Sequence, residues 1–272
     1  MVKTTFDLSV CTRCGLCTKV CPAKIITLNQ DKSPTVTNDV QERCIVCGHC
    51  EALCPVHAIS VINDNLVGAV TTSDGVIAAG QFEDYCLKRR SIRSYKKELV
   101  DRATIEHFLD IGRYAPSGGN RHTVEWTVLY TAQIMHTAID GTIEWMRQIV
   151  QHNPEYATKL NMTNLIAAWE AHIDVICRGA PHCIIAHVHK DDAMGLTDGV
   201  IALSHIELAA PSFGVGACWG GFLYVAVNSY PLLKESLGIP QDHTCAGALM
   251  FGYPAITYAG IPKRKAAPVV WK

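Results

Sequence analysis

Eight cysteines within the first 54 residues constrain this 272-residue chain more than any other feature. Cys11, Cys14, Cys17 and Cys21 form C-x2-C-x2-C-x3-C-P. Cys44, Cys47, Cys50 and Cys54 repeat it 33 positions later, with Gly15 matched by Gly48 and Pro22 by Pro55. The repeat is an internal duplication. Three thiols at three-residue intervals wrap a loop around one metal centre and turn backbone amides toward the sulfurs, while the fourth lies further along. The proline that follows fixes φ and removes an amide hydrogen, which helps the chain turn away. Paired C-x2-C also suits tetrahedral zinc, the alternative that spacing leaves open. Disulfides do not require this register, and closely spaced thiols in a cytosol stay reduced.

The two motifs resemble those of the bacterial two-[4Fe-4S] ferredoxins over about residues 1–62. In that family the fourth thiolate crosses over to the other cluster. The resemblance therefore implies one cluster on Cys11, Cys14, Cys17 and Cys54, a second on Cys44, Cys47, Cys50 and Cys21, and a ferredoxin domain over residues 1–65. The apolar stretches "KIITL" and "AISVI" read as short strands or turns covering the clusters. The other cysteines, Cys86, Cys177, Cys183, Cys218 and Cys245, lie among apolar neighbours and read as buried structural thiols.

A chain of this length with 49% hydrophobic residues has room for a small domain joined to a medium one. Lys plus Arg number 24 against 25 Asp plus Glu, and a net charge of −1 gives no electrostatic case for nucleic acid or an anionic membrane. The first 21 residues carry four cysteines where a secretory signal would carry a basic and then an apolar segment. The most apolar region, residues 199–227, is interrupted by His205, Glu207 and Pro211. The expectation is a cytoplasmic protein with no membrane span.

After "VIND" the stretch "NLVGAVTTSDG" is rich in turn-forming residues and reads as a linker over residues 66–75, with a second domain over residues 76–272. "VIAAGQFEDYCLKRRS" places Ile77, Phe82, Tyr85 and Cys86 near helical spacing, and "TDGVIALSHIELAAPSF" does the same for Val200, Leu203, Ile206 and Leu208. Alone, "KRRSIRSY" reads as a solvated basic face and "YAPSGGN" as a plain turn. Taken in order, "RRSIRSY", "APSGGN", "GVGACWGGF" and "GYP" followed by "PKRK" and a late Trp resemble the nitroreductase family of FMN enzymes. The resemblance spans residues 76–272. With no G-x-G-x-x-G or P-loop in the chain, a Rossmann NAD domain is not expected.

The resemblance implies an α+β fold, an antiparallel-rich central sheet with flanking helices, preceded by the small ferredoxin-like domain. It also implies a homodimer with FMN at the interface. A phosphate dianion needs fixed cations, and the planar arginine fork suits it. Arg89, Ser91 and Arg264 match the phosphate and ribityl positions, with Arg90 and Lys263 beside them. Arg93 matches the cation near the flavin N1 and C2 carbonyl, where negative charge gathers on reduction. Pro116, Ser117, Gly118 and Asn120 are implied to reach the FMN of the other subunit. Cys218, Trp219, Gly220 and Gly221 are implied to pass the ring, the Gly220 amide facing N5. The chain departs from the family's N-x-Q-P-W with Asn120-Arg121-His122-Thr123-Val124, which leaves substrate preference open. His122 reads either as a proton donor or as a locally hydrogen-bonded loop residue. None of the other histidines forms a metal-ligand pattern by spacing. No catalytic side chain is assigned, because solvent can supply the protons.

The domain order implies that an external low-potential donor such as ferredoxin feeds two [4Fe-4S] clusters, then FMN, then a nitroaromatic or quinone-like small molecule. A non-catalytic redox carrier or sensor remains an alternative. So does a flavin enzyme of reductive dehalogenation or flavin breakdown.

Overall fold

The computed structural model describes residues 2–63 and 75–272, so the expected linker lies outside the described residues except at Gly75. The chain falls into two compact units, one within residues 1–75 together with 119–121, the other comprising residues 76–118 and 122–272.

The first unit runs β1 (Lys3–Phe6), α1 (Leu16–Val20), β2 (Ile26–Leu28), β3 (Pro34–Val36), α2 (Val40–Arg43), α3 (His49–Ala52) and β4 (Ile59–Ile62). β1 pairs antiparallel with β4, and β2 with β3, so "KIITL" and "AISVI" both supply strands. Its core is small: Cys17 and Cys21 pack with Ile25, Ile26 and Ile59. So few apolar side chains give weak self-sufficiency, the regime in which a bound metal supplies folding energy.

The duplication is written into the backbone as well. Arg13 and Val46 (φ 57° and 53°), Gly15 and Gly48 (71° and 68°), and Lys24 and His57 (54° and 51°) occupy equivalent left-handed positions. Glycine takes this conformation freely, but β-branched Val46 is strained there. Strain of this kind persists where the surroundings over-determine it.

The second unit runs α4 (Ala79–Lys88), α5 (Arg102–Arg113), β5 (Glu125–Leu129), α6 (Ala132–His152), α7 (Pro154–Lys159), α8 (Met162–Glu170), β6 (His182–His189), α9 (Gly195–Ala209), β7 (Gly216–Trp219), α10 (Gly221–Ser229), α11 (Pro231–Ser236) and β8 (His243–Gly252). Among the described residues its sheet has the order β5-β6-β8-β7, antiparallel throughout. Central β6, "HCIIAHVH", is buried along almost its whole length because helices cover both faces. Ile139, Ile143 and Met146 of α6 and Leu223 and Val227 of α10 pack with Cys183, Ile185 and Met250 on one face. Ile105 and Phe108 of α5 and Leu203 and Ile206 of α9 pack with Ile184, Leu249 and Phe251 on the other. The fold is α+β, as expected.

Caps define the helix starts: the Asp101 carboxylate accepts the Thr104 amide at 2.9 Å, and Thr131 Oγ1 accepts that of Ile134 at 3.3 Å. Two expected apolar faces differ from the sequence reading. In α9 Leu203 and Ile206 are buried, but Val200 and Leu208 are 41% and 36% exposed; Gly199 and Ala202, small enough for close packing on the sheet, take their place. The first predicted helix forms as α4 without a buried residue, and Phe82 is 52% exposed. Its Tyr85 hydroxyl donates to the Leu208 carbonyl at 2.5 Å.

Candidate functional site: cysteine recesses and a cationic cradle

Two recesses open in the first unit. Cys11, Cys14, Cys17 and Cys54 line one; Cys21, Cys44 and Cys47 line the other; Cys50 borders both. The last cysteine of each motif therefore stands in the recess of the opposite motif, as crossed ligation requires. Among the described residues no three cysteines bring their Sγ atoms within 4.8 Å of one another. Tetrahedral zinc, with Zn–S near 2.3 Å, would draw them to about 3.8 Å. The wider spread favours a multi-iron cubane over a single zinc ion.

The recesses also carry the outer contacts a cluster needs. The Arg13 amide donates to Cys11 Sγ at 3.4 Å and the Ala58 amide to Cys54 Sγ at 3.2 Å, contacts of the kind that tune cluster potential. Burial pushes the Cys50 thiol up to about 11 and raises that of Cys17, while the Leu16 amide and the Thr12 hydroxyl lower that of Cys14. Deprotonating the buried pair calls for the positive charge of a bound metal. The residues fit iron–sulfur clusters.

In the second unit the segment after α4 lies along β7. The Ile92 amide donates to the Ala217 carbonyl at 2.9 Å, the Lys96 amide to Tyr253 at 2.8 Å, and the Tyr95 hydroxyl to Ile92 at 2.6 Å. A Cβ on Gly216 would stand 2.3 Å from Ile92 Cγ1, so the close approach depends on glycine there. The docking sets Ser91 and Arg93 beside Cys218, and Glu207 links Arg89 to Trp219. Burial raises the Cys218 thiol's pKa, against the pull of the Arg93 cation and the Ser91 hydroxyl.

Arg90 provides the test of fit. Its Nη1 donates to the Arg89 carbonyl at 2.5 Å, but its buried Nε and Nη2 have no hydrogen-bond partner among the described residues. An orphaned guanidinium of this kind is completed by an anionic ligand, and a flavin phosphate meets the requirement.

Several of the expected residues have partners within the chain. Arg89 Nη1 donates to Glu207 Oε1 at 2.8 Å, while Arg90 next to it keeps two buried donors without a partner among the described residues. The Gly220 amide, expected to face N5, donates to the Ala248 carbonyl at 2.8 Å. Gly221, with open space where its Cβ would be, begins α10 and leaves its amide outside the helical ladder. The Gly118 amide is held by buried Asp198 at 3.0 and 3.1 Å, and Ser117 Oγ accepts the His122 amide at 3.1 Å. Asn120 groups with the first unit, where its side-chain amide donates to the carbonyls of Ile45 and Val46 at 3.0 and 3.2 Å. Lys263 and Arg264 are not gathered with the Arg89–Arg93 segment; they lie on a tail exposed from residue 255 to 272. Pro116 and Ser117 lie just before the single 3-10 turn Gly118–Asn120.

Glu207 and Asp198 belong to no motif that marks a site in the sequence. Glu207 bridges Arg89 and, through Oε2 at 2.9 Å, the Trp219 indole. The available signal was a carboxylate inside an apolar helix, which needs a partner. Of the scattered thiols, Cys177, Cys183, Cys218 and Cys245 are buried and Cys86 is half-buried.

Comparison with known proteins finds a family match in each part of the chain. The model described as "4Fe-4S dicluster domain" matches residues 10–59, and that of the nitroreductase family matches residues 86–253. A nitroreductase with bound FMN from Desulfitobacterium hafniense superposes with TM-score 0.56 at 18% identity, over 70% of this chain and 98% of its own. One with bound FMN from Bacteroides fragilis gives 0.55 at 20% identity, over 69% and 95%. An FMN-dependent nitroreductase from Clostridium difficile gives 0.53 at 16%, over 72% and 100%. At these identities the likeness is one of fold. Curated protein sequences gave no match. With more than half of its residues matched by one family model and its cysteine repeat by the other, the chain belongs to the nitroreductase family and carries a 4Fe-4S dicluster domain at its N-terminal end.

Proposed function

We propose that the chain is an FMN- and iron–sulfur-dependent oxidoreductase of the nitroreductase type. Electrons from an external low-potential donor such as ferredoxin pass through two [4Fe-4S] clusters to FMN and on to a nitroaromatic or quinone-like acceptor. The observation that carries this reading is the pair of recesses lined by crossed cysteine quartets, in a chain whose second unit is a nitroreductase domain. An electron carrier joined to a flavin domain supplies that domain with single electrons. Bound FMN supplies the exchange between one-electron and two-electron chemistry and the hydride.

The chain's own groups bind and orient. Arg90 offers its unpaired Nε and Nη2 to the phosphate. Arg93 holds a cation beside Cys218, where charge on a reduced ring would gather. Glu207 fixes Arg89 and Trp219, and the Gly221 amide replaces that of Gly220 as the donor to the ring edge. The exposed tail, with Val270 and Trp271 82% and 90% exposed, supports a homodimer in which a second copy covers it and Lys263 and Arg264 reach FMN at the interface. The eight free thiols of the recesses suit a reducing cytoplasm.

Anaerobic stopped-flow mixing with reduced ferredoxin, set against NADH and NADPH, tests the reading. Ferredoxin should bleach the flavin, Cys47→Ala should slow that bleaching at least tenfold, and excess nitroaromatic should be turned over many times. An undiminished rate in the variant, or product limited to stored equivalents, would refute it.

A further inference from the structure

The sheet of the second unit gathers a group of ligating side chains that no sequence spacing announces. Glu125 on β5 stands opposite His187 on β6, and His189 stands opposite His243 on β8. The β6–β8 register shifts between Ala186 and His187, which re-aims the histidines. As a result Glu125, His187 and His243 bring one ligand atom each within 4.8 Å of one another, the sole such trio among the described residues. His187 is 3% exposed and the His243 side chain 10%.

We propose that Glu125, His187 and His243 form a binding site for a divalent transition metal, of which zinc is the type, tying β5, β6 and β8 together. The His187 and His243 Nδ1 atoms face each other at 2.9 Å. Two imidazole nitrogens on tetrahedral zinc, at 2.0–2.1 Å each, stand about 3.3 Å apart, so the rings need open by only a few tenths of an ångström. Zinc takes the place of the Nδ1 proton that lies between the two nitrogens, and that proton passes to Nε2 of the same ring, so that both imidazoles bind as neutral ligands. The other nitrogen of His187, Nε2, lies 3.1 Å from Thr127 Oγ1, the outer hydrogen bond that fixes ring orientation in metal sites. Glu125, 62% exposed and 4.0 Å from His243 Nε2, has the freedom to swing its carboxylate onto the ion, and water completes the shell. Two imidazoles and a carboxylate form a zinc set with an open position.

The surrounding charges favour a cation. Lys234 of α11 is the nearby positive group, and its Nζ is committed to the His243 carbonyl at 2.7 Å. Against it stand Glu125 and the carboxylates of Asp191 and Asp242, which lie 3.6 and 3.4 Å from the two nitrogens of His189.

The test uses the full chain with its clusters intact, dialysed anaerobically against zinc and examined by zinc-edge X-ray absorption and by competition with a chromophoric chelator. One zinc per chain should bind with a shell of nitrogen and oxygen at about 2.0–2.1 Å, and without sulfur at about 2.3 Å. Affinity should fall at least about tenfold in His243→Ala and in Glu125→Gln. The second variant alters an exposed side chain and keeps the test decisive if the first does not fold. No bound zinc, a sulfur shell, or retained affinity in either folded variant would overturn the site.

Discussion

Replacing Arg90 by Met should move two measured quantities in opposite directions. Among the described residues the buried Nε and Nη2 of Arg90 have no hydrogen-bond partner, while Nη1 donates to the Arg89 carbonyl. Each orphaned buried donor costs about 1–3 kcal/mol. Methionine has a similar unbranched stem and no donors, so Arg90→Met should stabilise the flavin-stripped chain by about 1–3 kcal/mol after losing the Nη1 bond. Toward FMN the sign reverses. A charge-assisted hydrogen bond to phosphate contributes about 1.5–3 kcal/mol, so the variant should bind FMN roughly 10- to 150-fold more weakly. All five tryptophans, Trp126, Trp145, Trp169, Trp219 and Trp271, lie in the second unit. Urea unfolding followed by tryptophan fluorescence therefore reads this unit alone, and quenching of FMN fluorescence gives the affinity. A destabilised stripped chain, or an FMN affinity within twofold of the parent, would refute the assignment of Arg90 to the phosphate.

Cys21→Ala should leave the same residual cluster signal in electron paramagnetic resonance as Cys47→Ala, and a different one from Cys14→Ala; a signal shared with Cys14→Ala would rule out crossed ligation. Gly216→Ala forces a Cβ to 2.3 Å from Ile92, with Pro254 at 3.0 Å on the other side, so about 1–3 kcal/mol of stability should be lost together with FMN affinity; unchanged melting would contradict the docking of the Arg89–Arg93 segment. Acid should weaken the second unit through His182, whose Nε2 accepts the Val100 amide at 3.1 Å and whose Nδ1 faces the Tyr130 carbonyl at 2.9 Å. Burial lowers its folded pKa below the ordinary 6.5, so the unfolded ring binds a proton that the folded ring refuses. Stability is then full above about pH 6.5 and falls below it by up to about 1.4 kcal/mol per pH unit until the folded pKa is reached. Urea midpoints measured from pH 7.5 to 5 should show a shallower slope in His182→Gln, and equal slopes would exclude the mechanism.

The cysteine unit was readable because a metal-binding loop is a local object. Spacing along the chain sets which thiols share a loop, and even the left-handed positions at Gly15 and Gly48 repeat with the sequence. The order of the later motifs likewise carried the family and the α+β class, since small residues and arginines at fixed places mark where backbone can approach a ligand.

What the tertiary structure alone decided was the partnership of charges far apart in the chain. Arg89 reads as a phosphate donor until α9 delivers Glu207 to it, while burial leaves two donors of neighbouring Arg90 without a partner among the described residues. The Gly220 amide is spent on Ala248 because β7 pairs with β8, a register no local pattern encodes. Glu125, His187 and His243 meet for the same reason, through cross-strand pairing and one bulge. The sequence determined which groups this protein owns and which loops hold them; folding determined which charges are already satisfied, because hydrogen bonds and desolvation depend on distances that only packing sets.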